Sequence, residues 1–125
     1  MAFAERRTKR SKDPLVALHY HLTSVKTREA LEAVVVADAS GVLVAGAGSW
    51  SMCEELAAYA PFLAGTMEPP ASREFEALQR SSRAITFRLG SSDVHVCVRG
   101  TAHTAIDEVR LGVQRILGEV QPEAA

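Results

Sequence analysis

A mixed α/β (α+β) fold, with a five-stranded antiparallel sheet of order 2-1-5-4-3 and helices on both faces, is predicted by three observations. Val34, Val35 and Val36 are consecutive and β-branched, which suits a strand covered on both faces. Asp38-Ala39-Ser40-Gly41 places Asp first and Gly fourth in a type I turn, and Val42, Leu43 and Val44 carry the chain back as a hairpin. Apolar residues recur at helical spacing before the hairpin, after it and near the C-terminus. The element order read from these patterns is α-β-β-α-β-β-β-α. The first and last strands are the most continuously apolar, so they belong side by side in the middle of the sheet.

The 125 residues fit one domain with a real core. The formal charge of −1 is unevenly spread. Arg6, Arg7, Lys9, Arg10 and Lys12 against Glu5 give residues 1–12 a local +4, which leaves −5 for the remainder of the chain. Residues 1–12 lack periodicity and read as a disordered basic arm, residues 13–120 as the folded domain, and 121–125 as a short tail. The arm reads as a solvated tail more readily than as a nucleic-acid or membrane contact. Two cysteines, no apolar run of membrane-spanning length and no apolar stretch behind the N-terminal cations predict a cytoplasmic protein.

Asp13-Pro14 is a helix start, an N-cap acceptor followed by proline at the first helical position. Leu15, Leu18, Leu22 and Val25 then form one stripe. His19 and His21 lie about 200° apart around this helix and cannot share a metal. The hairpin follows. Gly46-Ala47-Gly48 opens like a dinucleotide-binding loop, but the third glycine is replaced by Ser51 and no Gly-Lys-Ser/Thr follows, so nucleotide binding is not expected. Ser51-Met-Cys-Glu54 reads as a capping box opening the second helix.

That second helix is apolar on more than one side. Met52, Leu56, Tyr59 and Leu63 form one face, Ala57, Ala60 and Ala64 a small-residue strip beside it, and Ala58 and Phe62 widen the apolar surface. Only Glu54 and Glu55 are charged, so a second cover is expected, and a second copy of the chain can supply it. Pro61 sits where it would kink the helix or shorten its last turn. After a proline-containing loop, residues 73–80 alternate Glu74 and Glu76 with Phe75 and Ala77. This reads as a polar edge strand, with a short helix as the other option. Residues 83–89 and 94–99 alternate as two further strands around a hairpin loop at 90–93, and 101–119 forms the last helix through Ile106, Val109, Val113, Ile116, Leu117 and Val120.

Catalytic constellations do not emerge. His95-x-Cys97, with His103 beyond, offers ligand types without a metal-binding spacing. Cys53 lies in a first helical turn, where the helix dipole favours the thiolate, but no recognisable base accompanies it. Neither Asp38 nor Asp107 has an acidic partner. No cofactor and no metal are expected, and the chain reads as a non-enzyme.

The pattern resembles the roadblock / dynein light chain family, in particular its bacterial stand-alone members, over residues 14–119. The resemblance rests on the amphipathic first helix, the hairpin AVVVADASGVLVA, the helix SMCEELAAYAPFLAG, the meander ending VHVCVRG and the final helix. It implies dimers, homo- or heterodimeric, in which edge strand and second helix of each protomer meet. It also implies a non-catalytic scaffold or regulator that binds a Ras-like small GTPase, or an adaptor on a motor or membrane complex. The interface residues expected on this basis are Met52, Glu54, Glu55, Leu56, Ala58, Tyr59, Phe62 and Phe75. A GAF- or PAS-like small-ligand sensor is the alternative. Nucleic-acid binding ranks low, because the sheet lacks exposed aromatics for base stacking and the folded part is acidic.

Overall fold

The computed structural model describes residues 13–101 and 104–118. The expected arm over 1–12, the tail over 121–125, His103 and Val120 lie outside the described residues.

Helix α1 spans Pro14–Arg28. The Asp13 carboxylate caps it by accepting from the amides of Leu15 at 3.2 Å and Val16 at 3.3 Å. Leu18, Leu22 and Val25 are fully buried, whereas Leu15 is 51% exposed, so the buried stripe begins one turn later than the spacing predicts.

Strand β1 (Ala33–Asp38) follows, and strand β2 (Leu43–Ala47) pairs with it antiparallel. Asp38 organises the turn between them. Its Oδ1 accepts from the amides of Ser40 at 2.9 Å and Val42 at 3.0 Å and from the Ser40 hydroxyl at 2.8 Å. These donors, the Val42 amide foremost, hold the carboxyl below the usual carboxylate range. Pairing shifts between Val36 and Ala37, leaving Val44 as the extra residue of a bulge while Leu43 and Gly46 share one face.

Helix α2 is Trp50–Leu63, capped by Ser49, whose hydroxyl accepts from the Met52 amide at 3.3 Å. The expected capping box at Ser51 is therefore not the start of the helix. Gly48, at φ +128°, turns the chain so that Ser49, extended at ψ 149°, becomes the cap, and Ser51 lies exposed inside the first turn.

Residues 73–80 correct the prediction most. They form helix α3 (Arg73–Ser81), not an edge strand. The Ser72 hydroxyl accepts from the Phe75 amide at 3.1 Å, and Glu74 and Glu76 sit in the first turn with Arg80 in the last, matching both ends of the helix dipole. The chain enters strand β3 (Ser82–Leu89) directly, then a two-residue turn at Gly90 and Ser91 leads to strand β4 (Ser92–Arg99) and helix α4 (Ala105–Gly118). Among the described residues the sheet thus has four strands in the order β2-β1-β4-β3, all antiparallel, in place of the expected five. No described helix is long and apolar enough to cross a membrane.

Two layers cover the sheet. Val34 and Val36 of β1, with Val96 and Val98 of β4, pack beneath α1 and α4. Ala33, Val35 and Ala37, with Cys97, pack beneath α2 and Leu78 of α3. Along the α1–α4 seam the His21 ring lies over Gly112, where an added Cβ would come within 2.0 Å of Nε2. The Nε2–H donates to the Glu108 carbonyl at 3.3 Å, and Arg28 bonds the Glu108 carboxylate.

Burial holds the His21 pKa below its ordinary value, opposed by the Glu108 carbonyl bond. A base with a depressed folded pKa is protonated first in the unfolded chain. Stability is therefore fully retained above about pH 6.5 and falls as pH drops through that value toward the lower folded one. Urea unfolding between pH 5 and pH 7 should show this loss. His21→Gln should flatten it, and so should Gly112→Ala by displacing the ring into water.

Candidate interaction surface

Helix α2 approaches the sheet through small side chains. Cys53, Leu56, Ala57 and Ala60 are the buried row, and a Cβ on Gly46 of β2 would lie 2.9 Å from the Cys53 Sγ. Of the two apolar rows read from the sequence, the sheet-facing one is thus the alanine strip, joined by Leu56. Met52, Tyr59 and Leu63 are half-buried and pack along the flank of the same core. Such close approach draws the larger side chains sideways and outward.

Pro61 is buried in the last turn without ending the helix early. Its missing N–H leaves the Ala57 carbonyl without an intrahelical donor. The β1–β2 turn lies against that point, since a Cβ on Gly41 would be 3.2 Å from the Ala57 oxygen and 3.3 Å from that of Ala58. Gly41 also has φ +91°, so two constraints meet at this residue. The helix closes with Gly65 at φ +82°, its amide donating to Phe62 O at 3.2 Å while the Thr66 amide donates to Pro61 O at 2.9 Å. This is a Schellman closure.

Of the expected interface residues, Glu54, Glu55 and Ala58 are exposed, and Met52, Tyr59 and Phe62 are half-buried. Leu56 is fully buried inside the protomer and Phe75 is nearly so, now from helix α3. Phe75 joins Tyr59 and Phe62 in an aromatic cluster, with ring centroids 5.7 Å and 6.3 Å from its own and 6.2 Å between the other two. Glu55 is not a free charge. Arg99 of β4 lies 3.9 Å from its carboxylate and 3.4 Å from that of Glu32, in ion-pair range but without hydrogen-bond alignment at Nε. Sequence reasoning missed Trp50, which is 70% exposed at the first turn of α2, and the Arg99 contact. Trp50 is legible only once the helix is known to begin at Ser49.

The chemistry-bearing residues are packed away. Burial pushes the Cys97 thiol up to about 12 and the Cys53 thiol above its ordinary value, reversing the helix-dipole expectation for Cys53. His95 is buried beside Cys97, its Nδ1 2.8 Å from the Thr86 hydroxyl, and its Nε2 has no partner among the described residues. Among the described residues no three His, Cys, Asp or Glu side chains converge as metal ligands.

No protein-family model and no curated protein matches the chain. Solved structures do. A Roadblock/LC7 domain from Streptomyces avermitilis is 12% identical over 82% of this chain and 96% of its own, with a TM-score of 0.52. Myxococcus xanthus MglB is 14% identical over 89% of this chain and 92% of its own, at a TM-score of 0.46. An MglB structure with a tetrameric arrangement is 12% identical, covering 90% and 93% of the two chains, at 0.45. The fold is that of a roadblock/LC7 domain.

Gly41→Ala should destabilise the protein by about 1–3 kcal/mol through left-handed backbone strain and contact with the α2 carbonyls, read as a lower urea midpoint at unchanged slope.

Proposed function

We propose that this chain is a non-catalytic, dimeric platform that binds a Ras-like small GTPase through the outer face of α2. The observation that carries the reading is the make-up of that helix on a roadblock/LC7 fold. Its buried row is small, its flank aromatic, and its outer face bears Glu54, Glu55 and Ala58. The sequence resemblance implies the same use of this helix. Two such helices side by side make a platform on which small residues allow close approach and the glutamates steer a basic surface. Among the described residues strand β3 pairs with β4 alone, and its other edge is open to a second copy.

Helix α2 contains no arginine. Any effect on hydrolysis then arises by repositioning the GTPase's own residues rather than by an inserted cation. The burial of both thiols, which holds them protonated, accords with the non-catalytic part. The close seating of α2 on Gly46 speaks against a small-ligand sensor, because at β2 the Cys53 side chain already fills the space between helix and sheet. A cytoplasmic location suits this role.

Light scattering at micromolar concentration should give about twice the 13.5 kDa monomer mass. Binding to a Ras-like GTPase encoded in the same genome, in its GDP and GTP-analogue states, should weaken at least tenfold in Glu55→Lys and Ala58→Arg. Binding that survives both substitutions but disappears on deleting residues 1–12 would place the contact on the arm and overturn the platform.

A further inference from the structure

Helix α3 is held differently from the other described helices. It has nine residues, too few to persist in water alone, and Phe75 and Leu78 are its only buried side chains. Residues 65–71 before it are exposed throughout and include Pro69 and Pro70. Behind it the chain passes into β3 with no intervening turn. It is thus a short helix on two anchors between an exposed linker and a firmly paired strand.

The surface it covers is the flank of α2. Phe75 lies against Tyr59 and Phe62, and Leu78 enters the same cluster as Leu56, Ala60 and Cys97. Next to this flank runs β3, eight residues paired with β4 in unbroken register and with no strand on its other side among the described residues. Lifting α3 uncovers an aromatic flank alongside an open strand edge. A second copy of this chain meets both features at once under two-fold symmetry, edge to edge and flank to flank.

We propose that α3 is an intramolecular cap that competes with a second copy of this chain for the aromatic flank of α2, so that uncapping sets the strength of the dimer. The proposal rests on the dimeric reading above and adds its regulation. The apparent dissociation constant is the intrinsic one divided by the competent fraction. Both protomers uncap, so that fraction enters twice.

Ala77 is exposed on α3 and is not one of its two buried anchors, which makes Ala77→Gly the cleanest perturbation. The lost helix propensity raises the uncapped fraction about fivefold and tightens the dimer about 25-fold. Phe75→Ala should tighten it further. Sedimentation equilibrium of the full chain and both variants, with amide exchange at 73–81 followed against protein concentration, tests this. The expected result is tighter association in both variants, and faster exchange at 73–81 in the dimer than in the monomer. Equal dissociation constants for wild type and Ala77→Gly, with 73–81 equally protected in monomer and dimer, overturn the cap and leave the dimer standing. Monomers throughout, in wild type and variants alike, overturn the dimeric reading itself. Should Phe75→Ala fail to fold, Ala77→Gly carries the test alone.

Discussion

Burial of β1 on both faces is the constraint on which the rest of the structure depends. Ala33, Val34, Val35, Val36 and Ala37 expose no surface, and the strand is paired on both edges, by β2 and by β4. A strand enclosed in this way needs a helical layer above and another below. Helices α1 and α4 supply one and α2 supplies the other. The two layers then differ in character. The α1–α4 side is filled with branched side chains, whereas the α2 side alternates Ala33, Val35 and Ala37 and takes a helix seated on small residues.

That asymmetry places the surface. Because α2 meets the sheet through Cys53, Leu56, Ala57 and Ala60, its larger residues stand on the flank and its few polar ones face outward. The β1–β2 turn braces the helix where Pro61 interrupts its ladder, through the backbone approach of Gly41 to Ala57 and Ala58. Helix α3 then covers part of the flank with Phe75. The exposed outer strip and the covered aromatic flank are both consequences of how closely α2 lies on the sheet.

Much of this is legible in the sequence. The valine run, the Asp38–Gly41 turn and the Asp13-Pro14 start each carry a local cause strong enough to survive folding. Residues 73–80 do not. Glu-Phe-Glu-Ala fits a period of two, while Phe75 and Leu78 fit a helical period equally well over so short a span, and the Ser72 cap decides between them. The α2 start fails for a similar reason, since Ser49 and Ser51 compete as caps and the backbone at Gly48 selects the first. On the candidate surface, sequence identifies the helix and its doubly apolar character. It cannot say which apolar row faces the sheet, because seating on alanine rather than on leucine and tyrosine follows from the depth of packing at Gly46.

The central claim is that partners meet this domain on α2 rather than on the opposite layer, where Val16, Tyr20 and Leu111 also stand exposed. The most direct measurement is the backbone amide spectrum of the isotopically labelled protein, recorded with and without an unlabelled Ras-like GTPase from the same genome. The account predicts that the largest shifts and broadening fall on residues 51–62, with α1 and α4 unmoved. Perturbations centred on Val16, Tyr20 and Leu111, with residues 51–62 unchanged, would contradict it.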